Sequence, residues 1–357
     1  ASFGGHVNRT VSIVDDGDVT ELYSGDNGAS MSRVRFQGSA KSESLTTKAY
    51  IEVRARGNRS NSNANSVSTN AAGSTSGTVT SGGGASGSTL SMRHSYVSLS
   101  NNMGTLILGD TNPSGDLNGW GSGNFSGSSG NGVDGDTYNG GEIGTFLVKG
   151  SGATSGVEEI TLTGVSPLNT FSAGRGGVIR YDTPDFNGFS GSASLKGGDS
   201  ASEELSASVG YSADFDGTKV GFGYGYTNRS GSSASQNAFH SVGGGLELAS
   251  GINAHAGYFK KVNANSGQIE PKMWTIDLGY NMSVIDAGGT AVNINYSQAD
   301  DQAVANDDNT WYGINVQQEL SDYGTSLYGG ISRAEYSRTG TNYEDITAGW
   351  VGVKVAF

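Results

Sequence analysis

Cysteine is absent from these 357 residues, so the chain has no disulfide framework, no thiolate zinc site and no cysteine nucleophile. No run of about 18 apolar residues occurs, which excludes a membrane-spanning helix. No basic-then-apolar segment opens the chain, so an exported form would start its mature sequence at Ala1. Positive charge is in the minority: 21 Lys and Arg against 34 Asp and Glu give a formal charge of -13, which would repel phosphates. With no basic-aromatic stripe to offset it, nucleic acid is excluded as a partner.

Catalytic groupings are missing as well. His6, His94, His240 and His255 are scattered with no close ligand pair, so a zinc site is not expected. No G-x-S-x-G elbow is present and no carboxylate spacing singles out a glycosidase pair, so the chain reads as a non-enzyme that requires no cofactor. Apolar residues reach only 34%, little for a solid core of this size. The 16 Tyr, 12 Phe and 4 Trp nevertheless argue against disorder. A folded chain with a wet interior satisfies both observations.

What is present is alternation. In "SRVRFQGSAK", Val34, Phe36, Gly38 and Ala40 share one face, while Arg33, Arg35, Gln37, Ser39 and Lys41 share the other. "TKAYIEVRAR" sets Ala49, Ile51, Val53 and Ala55 against Lys48, Tyr50, Glu52, Arg54 and Arg56. "KVGFGYGY" and "MWTIDLGYNM" repeat the pattern, and the chain closes on it in "WVGVKVAF". Strands are expected near 2–15, 31–42, 45–57, 88–101, 103–110, 174–183, 188–198 and 203–214. Others are expected near 217–229, 237–249, 251–263, 271–284, 289–300, 309–321, 323–338 and 344–357. That makes about sixteen, joined alternately by tight turns such as "NNMG", "DFDG" and "LSDYG" and by longer polar loops such as 16–30, 58–87 and 111–173.

A secreted soluble β-sandwich, such as an adhesin or lectin, would show the same alternation. Strand length separates the two readings, because about 9 to 11 tilted residues cross a bilayer whereas ordinary strands average five or six. An even strand count, a short-turn rim opposite a long-loop rim, and apolar-out, polar-in strands predict an all-β fold. The expected architecture is one transmembrane antiparallel β-barrel over residues 1–357.

Three stretches carry a resemblance. "VIRYDTPDFNGFSGSASL" is similar to a mid-chain strand, Pro-containing turn and strand of the trimeric general diffusion porins of Gram-negative outer membranes, a family of sixteen-stranded barrels. "MRHSYVSLSNNMGTLILGD" resembles the segment leading into that family's third loop, and "SRVRFQG" resembles its second strand. The resemblance implies a water-filled channel for passive diffusion of ions and small hydrophilic solutes, assembled as a homotrimer in the outer membrane and exported with a signal peptide. It also implies that loop 111–173 folds into the lumen as the constriction, bringing Asp116, Asp134, Asp136 and Glu142. Opposite them, Arg33, Arg35, Arg54, Arg56, Arg93 and Arg180 would line a basic wall. The terminal Phe357 resembles the family's assembly signal. In the family the second loop latches a neighbouring subunit, but 58–87 here is low-complexity polar sequence. Gly4 and Gly5 would allow close subunit approach.

Other readings stay open. A channel selective for oligosaccharides would need a track of inward aromatics, of which the pattern offers few, Tyr50 and Phe259 among them. "DGDTYNGGE" offers Asp134, Asp136, Asn139 and Glu142 as hard oxygen ligands for calcium, against a plain polar loop. Acids at 15–18 and at Asp300, Asp301, Asp307 and Asp308 could hold divalent ions that bridge to outer-membrane lipid or lipopolysaccharide headgroups, against simple solvated charge. The acidic total predicts a weak preference for cations. Trp350 falls on the lumen face of the last strand and calls for a loop to cover it.

Overall fold

The computed structural model describes residues 1–15, 17, 20–27, 30–56, 89–115, 147–152, 156–161, 174–197, 203–230, 237–263, 269–302 and 305–357. Its strands are β1 (Ser2–Asp15), β2 (Thr20–Asp26), β3 (Arg33–Lys41), β4 (Thr46–Arg56), β5 (Thr89–Asn101), β6 (Gly104–Thr111), β7 (Leu147–Gly152), β8 (Gly156–Thr161), β9 (Gly176–Asp182) and β10 (Phe189–Lys196). They continue as β11 (Glu203–Phe215), β12 (Thr218–Ser230), β13 (Asn237–Glu247), β14 (Ile252–Asn263), β15 (Lys272–Ile285), β16 (Gly288–Asp300), β17 (Asp308–Leu320), β18 (Thr325–Ser337), β19 (Thr341–Tyr343) and β20 (Ile346–Ala356).

Each long strand pairs antiparallel with its neighbour, and β1 pairs with β20, placing Val7 opposite Val355 and Val11 opposite Val351. The sheet therefore closes into a sixteen-stave barrel. Closure leaves no unpaired edge, which a sheet in hydrocarbon cannot tolerate. The last residue joins the seam: Gly5 donates to the Phe357 carbonyl at 3.0 Å, and Phe357 donates back at 3.1 Å.

One stave is built differently from the expectation. Residues 16–30 do not form one long loop, because 20–26 are strand β2, paired with residues 9–15 of β1. Residues 2–6 of the same β1 edge pair with β3. β2 and β3 are thus two halves of one interrupted stave. Arg9 faces Asp26 and His6 faces Arg33, so the break between β2 and β3 falls opposite Val7 and Asn8. Without β2, residues 9–15 of β1 would be unpaired on the edge that faces away from β20.

Alternation sorts the side chains as expected. Outside lie Phe222, Ile314, Val351, Val353 and Val355, all exposed on the described chain. Inside lie small or polar residues, Asn8, Thr10, Thr227, Ser241, Asn293 and Asn315 among them. The two-residue turn Asp216–Gly217 links β11 to β12 with φ of 53° and 84°, which suits the twist of a hairpin. This turn, the other short connections and both termini share one rim.

Trp350 is buried with Val14, Trp311, Tyr328, Ala334, Tyr336, Ile346 and Ala348, and Tyr343 packs against the group. Side chains of neighbouring strands cover most of Trp350, and Tyr343, from the connection between β18 and β20, contributes to the same cluster.

Candidate pore constriction

The candidate constriction is built from β4 outward, and the inward residues of this strand include Tyr50, Glu52 and Arg54. Glu52 is only 2% exposed, and a buried carboxylate is stable only when paired and hydrogen-bonded. Its partners come from both flanking strands. Arg35 on β3 donates from Nε to Glu52 Oε2 at 2.6 Å, and Arg93 on β5 donates to Oε1 at 2.6 Å. Arg33 sits 3.5 Å from Oε1 and donates to Ser30 Oγ at 2.6 Å. The Tyr50 hydroxyl donates to Oε2 at 2.9 Å. Three guanidinium groups around one carboxylate leave the patch net basic.

A bulge makes this convergence possible. Glu52 pairs with His94 and Val53 with Met92, so Arg93 is the extra residue of β5. The extra residue lets two consecutive side chains point inward, Arg93 to Glu52 and His94 to the Thr111 hydroxyl 3.1 Å away. Strict alternation would turn one of them outward. Tyr50 and Tyr96 stack beside the patch with ring centroids 5.2 Å apart.

Arg180 on β9 forms a second contact zone. Its Nε donates to Asp182 Oδ1 at 2.7 Å, and a terminal nitrogen donates to the Asn112 carbonyl at 3.3 Å. Asn112 opens the long connection between β6 and β9. Two residues on, the Ser114 amide donates to the inward hydroxyl of Ser194 on β10 at 2.8 Å, so the connection starts along the inner wall. Further on, the β7–β8 hairpin pairs through β7 with β19, Thr341 opposite Gly152 and Tyr343 opposite Gly150. β6 and β9 stand well round the barrel from β18 and β20, so this connection links separate parts of the wall. The sequence reading took all of 111–173 as loop, whereas 147–161 contains this hairpin.

Of the six expected wall arginines, Arg33, Arg35 and Arg93 meet at Glu52, and Arg180 lies apart at Asp182. Arg54 faces Arg33 across the β3–β4 ladder. Arg56 ends β4, and its side chain lies outside the described residues. So do Asp116, Asp134, Asp136, Asn139 and Glu142, and with them the expected acidic side of a constriction and the candidate calcium ligands. Phe357 is exposed at the short-turn rim, its ring 5.8 Å from that of Phe3, which contacts Phe36 at 5.2 Å. Such a cluster suits an interfacial aromatic belt.

Two features went unread in the sequence. Glu52 was placed on the polar face without a role, although it is the only acid among the polar-face positions of "RVRFQ" and "YIEVRAR". Inward aromatics are also more numerous than expected: besides Tyr50, Phe259 and Trp350, Tyr96, Phe239, Trp311, Tyr328 and Tyr336 face the interior.

The sequence matches the family of Gram-negative porins over residues 1–339. The chain belongs to the Gram-negative porin family. Among solved structures, this porin is similar to an anion-selective porin from Comamonas acidovorans, with 19% identity and a TM-score of 0.65, covering 100% of this chain and 99% of that one. It is similar to the trimer form of OmpT, an outer membrane protein of Vibrio cholerae, at 12% identity and TM-score 0.58, covering 100% and 98%. OmpF of Salmonella typhi, solved with daunomycin, gives 14% identity and TM-score 0.58 over 100% and 97%. A comparison with curated protein sequences finds no match. The porin is an outer-membrane diffusion channel, and a barrel of sixteen strands is wide enough to hold water along its axis.

Proposed function

We propose that this porin passes ions and small hydrophilic solutes through a constriction whose basic side is the Arg33–Arg35–Arg93 group on Glu52. The observation that carries it is the convergence of three guanidinium groups on one buried carboxylate midway along the wall. Fixed charges on a low-dielectric wall orient water and dipolar solutes and disfavour apolar ones. Single-channel conductance in planar bilayers, with neutral polymers of graded size, measures the opening. Replacing Arg33, Arg35 and Arg180 with Gln should change conductance and selectivity, and no change in either would refute the wall assignment.

The working unit in this proposal is a homotrimer in a lipopolysaccharide-containing outer membrane, reached by export with a signal peptide. Arg9 supports a covered outer face. It points outward midway along β1 between exposed Val7 and Val11, with its side chain 46% exposed and Asp26 3.4 Å away. A cation facing lipid at the midplane costs about 2–4 kcal/mol, which burial against a neighbouring subunit would avoid. Cross-linking in native membranes should yield a trimer band.

The inward aromatics favour a second reading, an oligosaccharide-selective channel in which Tyr50 and Tyr96 stack against sugar rings. Concentration-dependent block of ion current by a linear maltooligosaccharide would establish it, and an unaffected current would discard it.

A further inference from the structure

Toward the long-loop rim, β10, β11, β12 and β14 bring a second set of charges to the inner face, separate from the Glu52 group. Glu204 is buried on β11, and Lys196 of β10 lies 3.2 Å from its Oε1. Arg229 of β12 donates to the same oxygen from Nε at 3.0 Å and from a terminal nitrogen at 2.7 Å. The register sets these contacts, since Glu204 stands opposite both Lys196 and Arg229 in its two ladders.

The next inward residue is aromatic. Phe239 of β13 is 6% exposed, with the Arg229 guanidinium 5.6 Å from its ring centroid and the Lys261 ammonium 5.9 Å away. Lys261 is the direct ladder partner of Phe239. Cation–π attraction holds both cations in place without neutralising them. Lys261 is only partly exposed and has no carboxylate partner among the described residues. Two cations pair with one carboxylate and Lys261 adds a third charge beyond it, so positive charge is left over.

We infer that Arg229 and Lys261, seated on Phe239 with Lys196 beside them, form an anion-recruiting site on the inner wall near the mouth, taking chloride and small carboxylate or phosphate solutes. The inference rests on the channel being open to diffusion. It departs from the cation preference that the total charge of -13 suggests. At physiological salt, screening confines a charge's influence to about 8 Å, so a permeating ion responds to the wall beside it more than to the total. An oxyanion there gains charge-assisted hydrogen bonds from groups already half out of water.

The test uses the full-length porin in planar bilayers. Reversal potentials in a potassium chloride gradient give the chloride-to-potassium permeability ratio, and added inorganic phosphate gives the concentration that halves the chloride current. The expected ratio exceeds one. In Lys261→Gln it should fall about two- to fivefold, with a similar rise in the half-blocking phosphate concentration, since one charge a few ångströms away in wet surroundings has roughly that effect. Lys261→Arg should restore both, and lower mobility of unheated samples on gels confirms that each variant is folded. A potassium-preferring wild type, or a folded Lys261→Gln channel with unchanged ratio and unchanged block, would overturn the site alone. A wild-type barrel that carries no current would overturn the diffusion reading and the site with it.

Discussion

Arg35 Nε donates to Glu52 Oε2 at 2.6 Å across the β3–β4 ladder, while Arg93 holds the other oxygen at 2.6 Å from β5. Glu52 is therefore the hub of the three-arginine group. Glu52→Gln removes the charge that keeps three guanidinium groups together, and breaking such a buried network costs about 3 kcal/mol. The variant should unfold at lower temperature in heat-shift gels, and its chloride-to-potassium permeability ratio should rise in bilayer reversal-potential measurements.

Arg180 links the wall to the root of the long connection through the Asn112 carbonyl at 3.3 Å. Arg180→Gln keeps a polar side chain but loses the charge that also pairs with Asp182 at 2.7 Å. The start of the connection is then held chiefly by Ser114 on Ser194. Single-channel recordings should show more open-channel noise and more frequent sub-conductance steps, with folding largely kept. A recording as quiet as wild type would mean that Arg180 does not anchor the connection.

The two faces of β20 give opposite outcomes. Val351 is 65% exposed on the outer face, so Val351→Lys should cost about 2–4 kcal/mol if that position lies near the bilayer midplane. Lys354, on the inner face, should accept Gln with little loss. Equilibrium unfolding from detergent or lipid vesicles by urea measures both. Equal costs at the two positions would contradict the inside-outside assignment.

Gly330 has no room for a side chain. A Cβ there would lie 2.6 Å from Cζ2 of Trp350 and 2.7 Å from the Ile314 carbonyl. Gly330→Ala should therefore destabilise the barrel by about 1–3 kcal/mol, through strain against a backbone that cannot retreat and a ring packed in the inner cluster. Trp350→Leu in the same background should recover part of the loss by freeing the space. Heat-shift gels of the single and double variants measure the recovery.

The barrel was largely legible in the sequence because side-chain direction in a strand is a local property. Val34 and Phe36 against Arg33 and Arg35 already separate lipid face from lumen, and the turn residues already place the hairpins. Interruption of the second stave was not legible. "TELYSGD" alternates too weakly to stand out, and only the need of residues 9–15 for a partner on their second edge makes it a strand. The same kind of partnership seats Asn27 inside, where its amide donates to the Tyr328 hydroxyl 3.0 Å away, across 301 positions of sequence.

The wall divides in the same way. By itself the sequence determined that the arginines of β3, β4 and β9 belong to a polar face, because period-two alternation depends only on neighbouring residues. Which of them share a carboxylate was decided by tertiary structure. Register between strands places Glu52 beside Arg35, the bulge at Arg93 overrides simple alternation, and neither Lys196 nor Arg229 reveals Glu204 as a common partner until the ladders are aligned. Hydrogen-bond register is a non-local choice made when the barrel closes, and the charges that face one another across it follow from that choice.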